Sequence, residues 1–211
     1  MSNIKVTVHT EPFHYIEVRN LWTEQERKEM FDEMLYLENK NIFESAEKYD
    51  LDGSGNPLRY NKSGFIDSIW INRDYSKILK HNRKVYDLFA NKKVKDSWYF
   101  DGLEFKSDAT LVAYYEDTEL FPHRDNSLVS AVSWFFKEPK QFSGGKLAFV
   151  DYDLTFEVTN DLTILFPSNI EHEVTKVSIN DGYDGKQCGR FGMTQFLGNG
   201  MGASEHTKNY Y

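Results

Sequence analysis

The chain has 211 residues, a formal charge of −8 and 40% hydrophobic residues, with aromatics at 16% of the total. That is enough apolar material for one domain with a sizeable core, and the aromatic excess favours strands. The acidic balance, with no run of Lys or Arg, argues against nucleic acid as a partner, and the single cysteine, Cys188, excludes an internal disulfide.

A lone cysteine fits a reducing, cytoplasmic setting. The opening MSNIKVTVHT lacks the basic and apolar segments of a secretory signal, and no apolar run approaches the roughly 18 residues of a membrane span. One domain over residues 1–211 is expected: 1–97 as helical support and lid, 98–198 as a β core, and 199–211 as a tail.

In chain order, the first predicted helix starts at Thr23, whose spacing to Glu26 makes a capping box. Met30, Phe31, Met34, Leu35 and Leu37 give it an apolar stripe. A second helix is predicted over 74–92, opened by Asp74, with Tyr75, Ile78, Leu79, Val85, Tyr86 and Phe89 inward. Between the two, residues 40–66 are polar and rich in turn formers. Asp50, Asp52, Ser54 and Gly55 have the look of a calcium loop, but Asn61 stands where the bidentate Glu should be. A mobile surface loop fits better, and such loops often cover active sites.

From residue 98 the texture becomes β. WYFDGLEF, DATLVAYYE, LVSAVSWFFK, GKLAFVD, LTFEV, LTILFP, HEVTKVSI and RFGMTQFL are short apolar or alternating runs separated by turn residues. Eight such runs predict a mainly β fold of sandwich or jelly-roll type with helices outside it.

Within this region lies FPHRDNS. With this composition a chance His-x-Asp is expected in roughly every second such chain, so context must decide. In extended chain His123 and Asp125 project to one face and Arg124 to the other. His9, His14, His81 and His206 read as solvated surface histidines. His172, after the buried-looking LTILFP and a Pro-Ser-Asn turn, is the one a β fold can bring inside. Two imidazoles and a carboxylate on one side of an octahedral metal leave positions open, as non-haem Fe(II) oxygenases require. Zinc is the second choice on ligand type.

Arg190 opens the last apolar run, where a charge is costly to bury without an anion. Two placements fit it: solvated at the strand's start, or buried and holding a carboxylate bidentately. Thr194 lies on the same strand face. Trp134, Phe135 and Trp98 are candidates for a pocket wall, although core packing explains each.

The order VAYYEDTELFPHRDN, SGGKLAFVD, NDLTILFPSNIEHEVTKV and RFGMTQFLG, over about residues 108–198, resembles the Fe(II)/2-oxoglutarate-dependent dioxygenases, in particular their prolyl 4-hydroxylase-like branch. The resemblance implies a double-stranded β-helix (jelly-roll) barrel buttressed by N-terminal helices. It implies Fe(II) held by His123, Asp125 and His172, with Arg190 on the distal carboxylate of 2-oxoglutarate. Thr194 and Tyr115 would face that cosubstrate, although an ungapped alignment selects Tyr114 instead. Gly144 and Gly145 match a structural turn of the family.

The same resemblance implies hydroxylation of a C–H bond at the expense of O₂ and 2-oxoglutarate, with ascorbate among the cofactors it allows. The expected substrate is a prolyl residue of a peptide or protein, with a free amino acid or other small molecule as the alternative. The chain departs from the family at Leu120, where a second tyrosine is common, and in the long interval from His172 to Arg190. The excess there, NDGYDGKQCG, is expected to reach the mouth of the barrel. Two rivals remain at this level: a non-enzymatic metal- or sugar-binding jelly roll, and a zinc hydrolase using Glu171 or Glu173 as base.

Overall fold

The computed structural model describes residues 3–48, 51, 54–57, 59–89, 94–183 and 187–199. Two strands absent from the sequence expectation come first, β1 (Lys5–His9) and β2 (Tyr15–Arg19). Helix α1 (Glu24–Asn39) follows, and Thr23 and Glu26 form the expected capping box at its start. The supposed surface loop contains β3 (Glu44–Ser45) and β4 (Lys62–Phe65). Asp50 and Asp52 of the calcium-like stretch lie outside the described residues, as do His206 and all of the tail beyond residue 199.

A short helix α2 (Ile66–Ile69) leads to α3 (Lys77–Phe89). α3 starts later than expected because Ser76, not Asp74, caps it: its hydroxyl accepts from the Leu79 N–H at 3.0 Å. Tyr75 is consequently exposed rather than inward.

The β region comprises β5 (Ser107–Tyr115), β6 (Leu120–His123), β7 (Val129–Phe136), β8 (Phe142–Gly144), β9 (Leu147–Phe149), β10 (Leu154–Phe156), β11 (Leu162–Pro167), β12 (His172–Val174), β13 (Val177–Ile179) and β14 (Arg190–Gly198). WYFDGLEF forms turns rather than a strand. Eight strands make the major sheet in the order β1-β2-β11-β7-β14-β5-β4-β3. Four make the minor sheet, β10-β9-β12-β6, and β13 pairs with β8. Among the described residues no ladder closes these sheets into a barrel, so the jelly roll is an open sandwich.

Strand alternation divides the core in two. On the outer face of the major sheet, Val112, Phe135, Phe191 and Met193 pack with Met30, Met34 and Leu37 of α1 and with Ile78 and Val85 of α3. On the inner face Ala113, Tyr115, Val132, Trp134 and Ile164 meet Leu147, Phe149, Phe156 and Val174 of the minor sheet. Residues 1–97 therefore supply sheet strands as well as helical support.

Candidate active site

His123 ends β6 and pairs directly with His172, the first residue of β12. Their ring centroids are 4.3 Å apart. Each Nδ1 faces a backbone carbonyl two residues earlier, Phe121 O at 3.0 Å and Ile170 O at 2.9 Å. A carbonyl only accepts, so each Nδ1 carries a proton, which leaves each Nε2 as the atom available to a metal. Both Nε2 atoms point to the Asp125 carboxylate, at 3.5 Å from Oδ1 and 3.5 Å from Oδ2 respectively.

Asp125 lies beyond the end of β6, so strand alternation does not place it. Its N–H donates to Ser168 O at 2.9 Å, and its Oδ2 accepts from the Ser130 hydroxyl at 2.5 Å. Arg124 consequently borders the same cavity instead of pointing away from it. One ligand atom from each of His123, Asp125 and His172 falls within 4.8 Å of the others.

Burial is the largest single influence on each of the three groups, but it decides the outcome only at His172. It depresses His172 to about 4, so that imidazole is neutral at physiological pH. Burial also acts against charge on His123, but the hydrogen bond and charge of Asp125 outweigh it and leave His123 raised. For Asp125 burial is again the largest influence and pushes upward; hydrogen bonding from His123 and the charge of His172 reverse it and keep the carboxyl low. Two imidazole nitrogens and an ionised carboxylate aimed at one point suit a divalent first-row metal.

A cavity of about 480 Å³ opens on this triad. Its other wall is the inner face of β14, where Arg190, Gly192, Thr194 and Phe196 follow one another at alternate positions. Arg190 is 1% exposed, and its Nε and Nη2 have no hydrogen-bond partner. The Tyr115 ring lies beneath its guanidinium, 4.4 Å from Cζ to the centroid. Burial pushes its pKa down to about 10, which leaves it charged at neutral pH. Of the two placements the sequence allowed, the buried one is observed.

Two glycines make room for that side chain. A Cβ on Gly145 would stand 2.9 Å from Arg190 Nε, and one on Gly192 would stand 2.7 Å from Nη1. Gly145 is thus more than a turn residue, and Gly192 is a site residue that sequence reasoning missed. Its signal was a glycine inside an otherwise apolar strand, a mark of close approach by another group. Ser130 was also missed; it is a hydroxyl within an apolar strand, five residues after Asp125.

Tyr115 faces the cavity, whereas Tyr114 lies on the outer face and donates its hydroxyl to Glu116 Oε2 at 2.7 Å. Leu120 lines the cavity and offers no hydroxyl there. Trp134 lines it too, but Phe135 packs in the outer core and Trp98 is exposed.

Residues 184–186 of the His172–Arg190 interval lie outside the described residues. At its described end Gln187 turns to α1, donating to Glu38 Oε2 at 3.2 Å. The other described histidines are less solvated than expected. His9 stacks on Tyr15, His14 Nδ1 lies 2.9 Å from the Ser97 hydroxyl, and His81 Nε2 lies 2.8 Å from Glu29.

No family model and no curated protein matches the chain. Solved structures do. A Pseudomonas putida prolyl-4-hydroxylase matches with a TM-score of 0.57 at 14% identity, over 89% of this chain and 93% of that one. A viral collagen prolyl hydroxylase from Paramecium Bursaria Chlorella virus-1, in complex with 2OG, matches at a TM-score of 0.49 and 13% identity, over 87% of this chain and 94% of that one. The first of these likenesses establishes architecture, and it agrees with the resemblance read from the motifs. In fold, the chain is similar to that Pseudomonas putida prolyl-4-hydroxylase.

Proposed function

We propose that this protein is an Fe(II)- and 2-oxoglutarate-dependent oxygenase that hydroxylates a C–H bond, with a prolyl residue of a peptide or protein as its substrate. One observation carries the reading: a His-Asp-His cluster and a buried, unpaired Arg190 share one cavity of about 480 Å³. A metal site alone would not need the arginine, and a buried cation without an anion is a standing cost of several kcal/mol. The prolyl substrate is supported by the fold shared with the Pseudomonas putida prolyl-4-hydroxylase.

In this reading His123, Asp125 and His172 hold Fe(II), and Arg190 holds the distal carboxylate of 2-oxoglutarate with Thr194 beside it. Iron, 2-oxoglutarate and O₂ together supply the oxidising power, releasing succinate and CO₂ as the substrate gains a hydroxyl group. The chain's own part is positional. The Phe121 and Ile170 carbonyls fix the ligand tautomers, Ser130 steadies Asp125, and the Tyr115 ring holds the Arg190 guanidinium in place. Glu171 and Glu173 do not line the cavity, and Glu171 faces Arg124 at 3.9 Å, so neither is placed to serve a zinc hydrolase as its base.

The test is an anaerobic optical titration of the apo-protein with Fe(II) and 2-oxoglutarate. A weak visible charge-transfer band should appear in wild type, vanish in His172→Ala, and need far more 2-oxoglutarate in Arg190→Ala. No band at saturating iron removes the oxygenase reading. Mass spectrometry of proline-containing peptides and free amino acids after aerobic turnover then tests the substrate. A gain of one oxygen on amino acids alone would replace the peptide reading by the small-molecule one.

A further inference from the structure

The cavity has a charged mouth as well as a charged interior. Among the described residues, the charged side chains that line it are Glu44, Arg59, Arg124, Asp125 and Arg190. Asp125 and Arg190 lie deep, whereas Glu44 and Arg124 are exposed and Arg59 is half-buried. In the proposed function Fe(II), Asp125, Arg190 and the two carboxylates of 2-oxoglutarate together carry no net charge. Arg59 and Arg124 set against Glu44 then leave one positive charge at the mouth, in a chain whose formal charge is −8. A cleft whose sign opposes that of the whole chain concentrates ligands of the opposite charge.

Backbone pairing holds both mouth cations beside the His-Asp-His cluster. Arg59 forms an antiparallel bridge with Leu120 on β6. Paired residues project to the same side, and both of these face the cavity. The charge of Arg59 is felt at His123, where it opposes protonation. Arg124 stands between His123 and Asp125 in the chain. Its Nε lies 3.9 Å from Glu171 Oε1, with the two side chains 61% and 36% exposed, so that pairing holds it loosely. Ile42, Phe65 and Ile69 add an apolar stretch to the same lining. Neither Arg59 nor Arg124 has a part in holding metal or 2-oxoglutarate in the proposed function.

We propose that Arg59 and Arg124 form an anion subsite for the substrate itself, which presents one carboxylate at the mouth while its reacting C–H bond reaches the cluster. The assignment rests on the oxygenase reading and narrows the substrate class within it. A guanidinium fork takes a carboxylate bidentately. One unbalanced positive charge suits a monoanion, whereas a phosphate would bring about −1.5 to −2. The apolar stretch takes the hydrocarbon part of the same molecule. Such a carboxylate has two sources: an Asp or Glu side chain beside the reacting residue of a peptide, and the α-carboxylate of a free amino acid.

The experiment uses the full chain loaded with Zn(II) and 2-oxoglutarate, so that binding is read without turnover. Calorimetry compares acid with amide in matched pairs. The peptide pairs are acetyl-Glu-Pro-amide with acetyl-Gln-Pro-amide, and acetyl-Pro-Glu-amide with acetyl-Pro-Gln-amide. The amino-acid pairs are L-proline with L-prolinamide, and L-leucine with L-leucinamide. In at least one pair the acid should bind about tenfold tighter or more, as expected of a hydrogen bond to a charged group. Added salt should shrink that advantage, because the mouth is open to solvent. A preference in the peptide pairs assigns an acidic peptide, and one in the amino-acid pairs assigns the α-carboxylate. Arg59→Gln combined with Arg124→Gln should abolish the preference, and Arg124→Lys should keep part of it by retaining charge without the fork.

Equal binding of acid and amide in every pair, or a preference that survives the double glutamine change, overturns the subsite. So does a failure of every compound to bind. In each of these cases the oxygenase reading survives, provided that 2-oxoglutarate binds and its binding depends on Arg190. If 2-oxoglutarate does not bind at all, both fall. The wild-type comparisons stand even if the double variant fails to fold.

Discussion

His123 and His172 are direct cross-strand partners, and the Asp125 carboxylate reaches the Nε2 of each at 3.5 Å. The three donors thus join the end of β6, the start of β12 and the turn after β6. An ion bound there would brace all three segments, and a ligand that binds only the folded state stabilises it by mass action. Divalent metal should raise the melting temperature and EDTA should reverse the gain. Asp125→Ala should lose the metal-dependent gain and 2-oxoglutarate turnover while its far-ultraviolet circular dichroism stays near that of wild type. A variant that keeps the metal-dependent shift would remove Asp125 from the ligand set.

Ser130 contacts Asp125 without being a ligand candidate itself. Outer partners of metal ligands commonly contribute 10- to 100-fold in affinity. Ser130→Ala should therefore weaken metal binding by roughly that factor, measured by competition with a chelating dye, with little change in 2-oxoglutarate affinity once metal is saturating.

Gly192→Ala tests the space around Arg190. The new methyl group would sit 2.7 Å from Nη1, and the fully buried guanidinium would have to move. Calorimetry should show 2-oxoglutarate binding weakened about tenfold or more, for a stability loss of about 1–3 kcal/mol typical of overpacking. Unchanged binding would mean that Arg190 is not the anion's partner.

Tyr114 and Tyr115 should separate cleanly. Tyr114→Phe removes the hydroxyl bonded to Glu116 and to the Gly189 N–H, and should cost about 1 kcal/mol of stability with cosubstrate affinity intact. Tyr115→Ala removes the ring beneath Arg190 and should weaken 2-oxoglutarate binding, read by the optical titration. The reverse pattern would exchange their roles.

Thr23→Ala should destabilise the protein by about 1 kcal/mol in urea at pH 7, the usual worth of an N-cap. The box has a second half in Glu26. Burial pushes that carboxyl upward, but the Lys84 and Thr23 hydrogen bonds prevail and hold it below its ordinary 4.5. Its contribution is therefore present above pH 4.5 and lost as pH falls through the lowered value. The wild-type advantage over Thr23→Ala should shrink in that acidic window.

Much of this arrangement was legible in the residues, and the illegible part has identifiable causes. β14 reads from its alternation alone, and the capping box fixes the start of α1. His172 stood apart because it follows a buried strand and a tight turn. The strands KVTVH and YIEVR passed unnoticed because each spans only five residues and carries charges on its solvent side. Tyr114 could not be told from Tyr115 because alternation says that they face opposite ways without saying which way is in. That answer comes from pairing: Arg190 lies opposite Tyr115 on β14. The Trp134 N–H, buried without a hydrogen-bond partner, had no signal at all in the sequence, since a buried tryptophan reads first as core.

The candidate iron ligands belong to the minor sheet and the turn beside it, while Arg190, Thr194 and Tyr115 belong to the major sheet. Facing sheets sit about 10 Å apart, a separation set by the side chains packed between them. On the proposed function, a molecule gripped at one end by metal and at the other by Arg190 spans that gap, and the layer spacing works as a gauge for its length. Core residues such as Phe166, whose ring packs on His172 at 4.7 Å between centroids without lining the cavity, would then influence which diacid fits by setting how far apart the two grips are held.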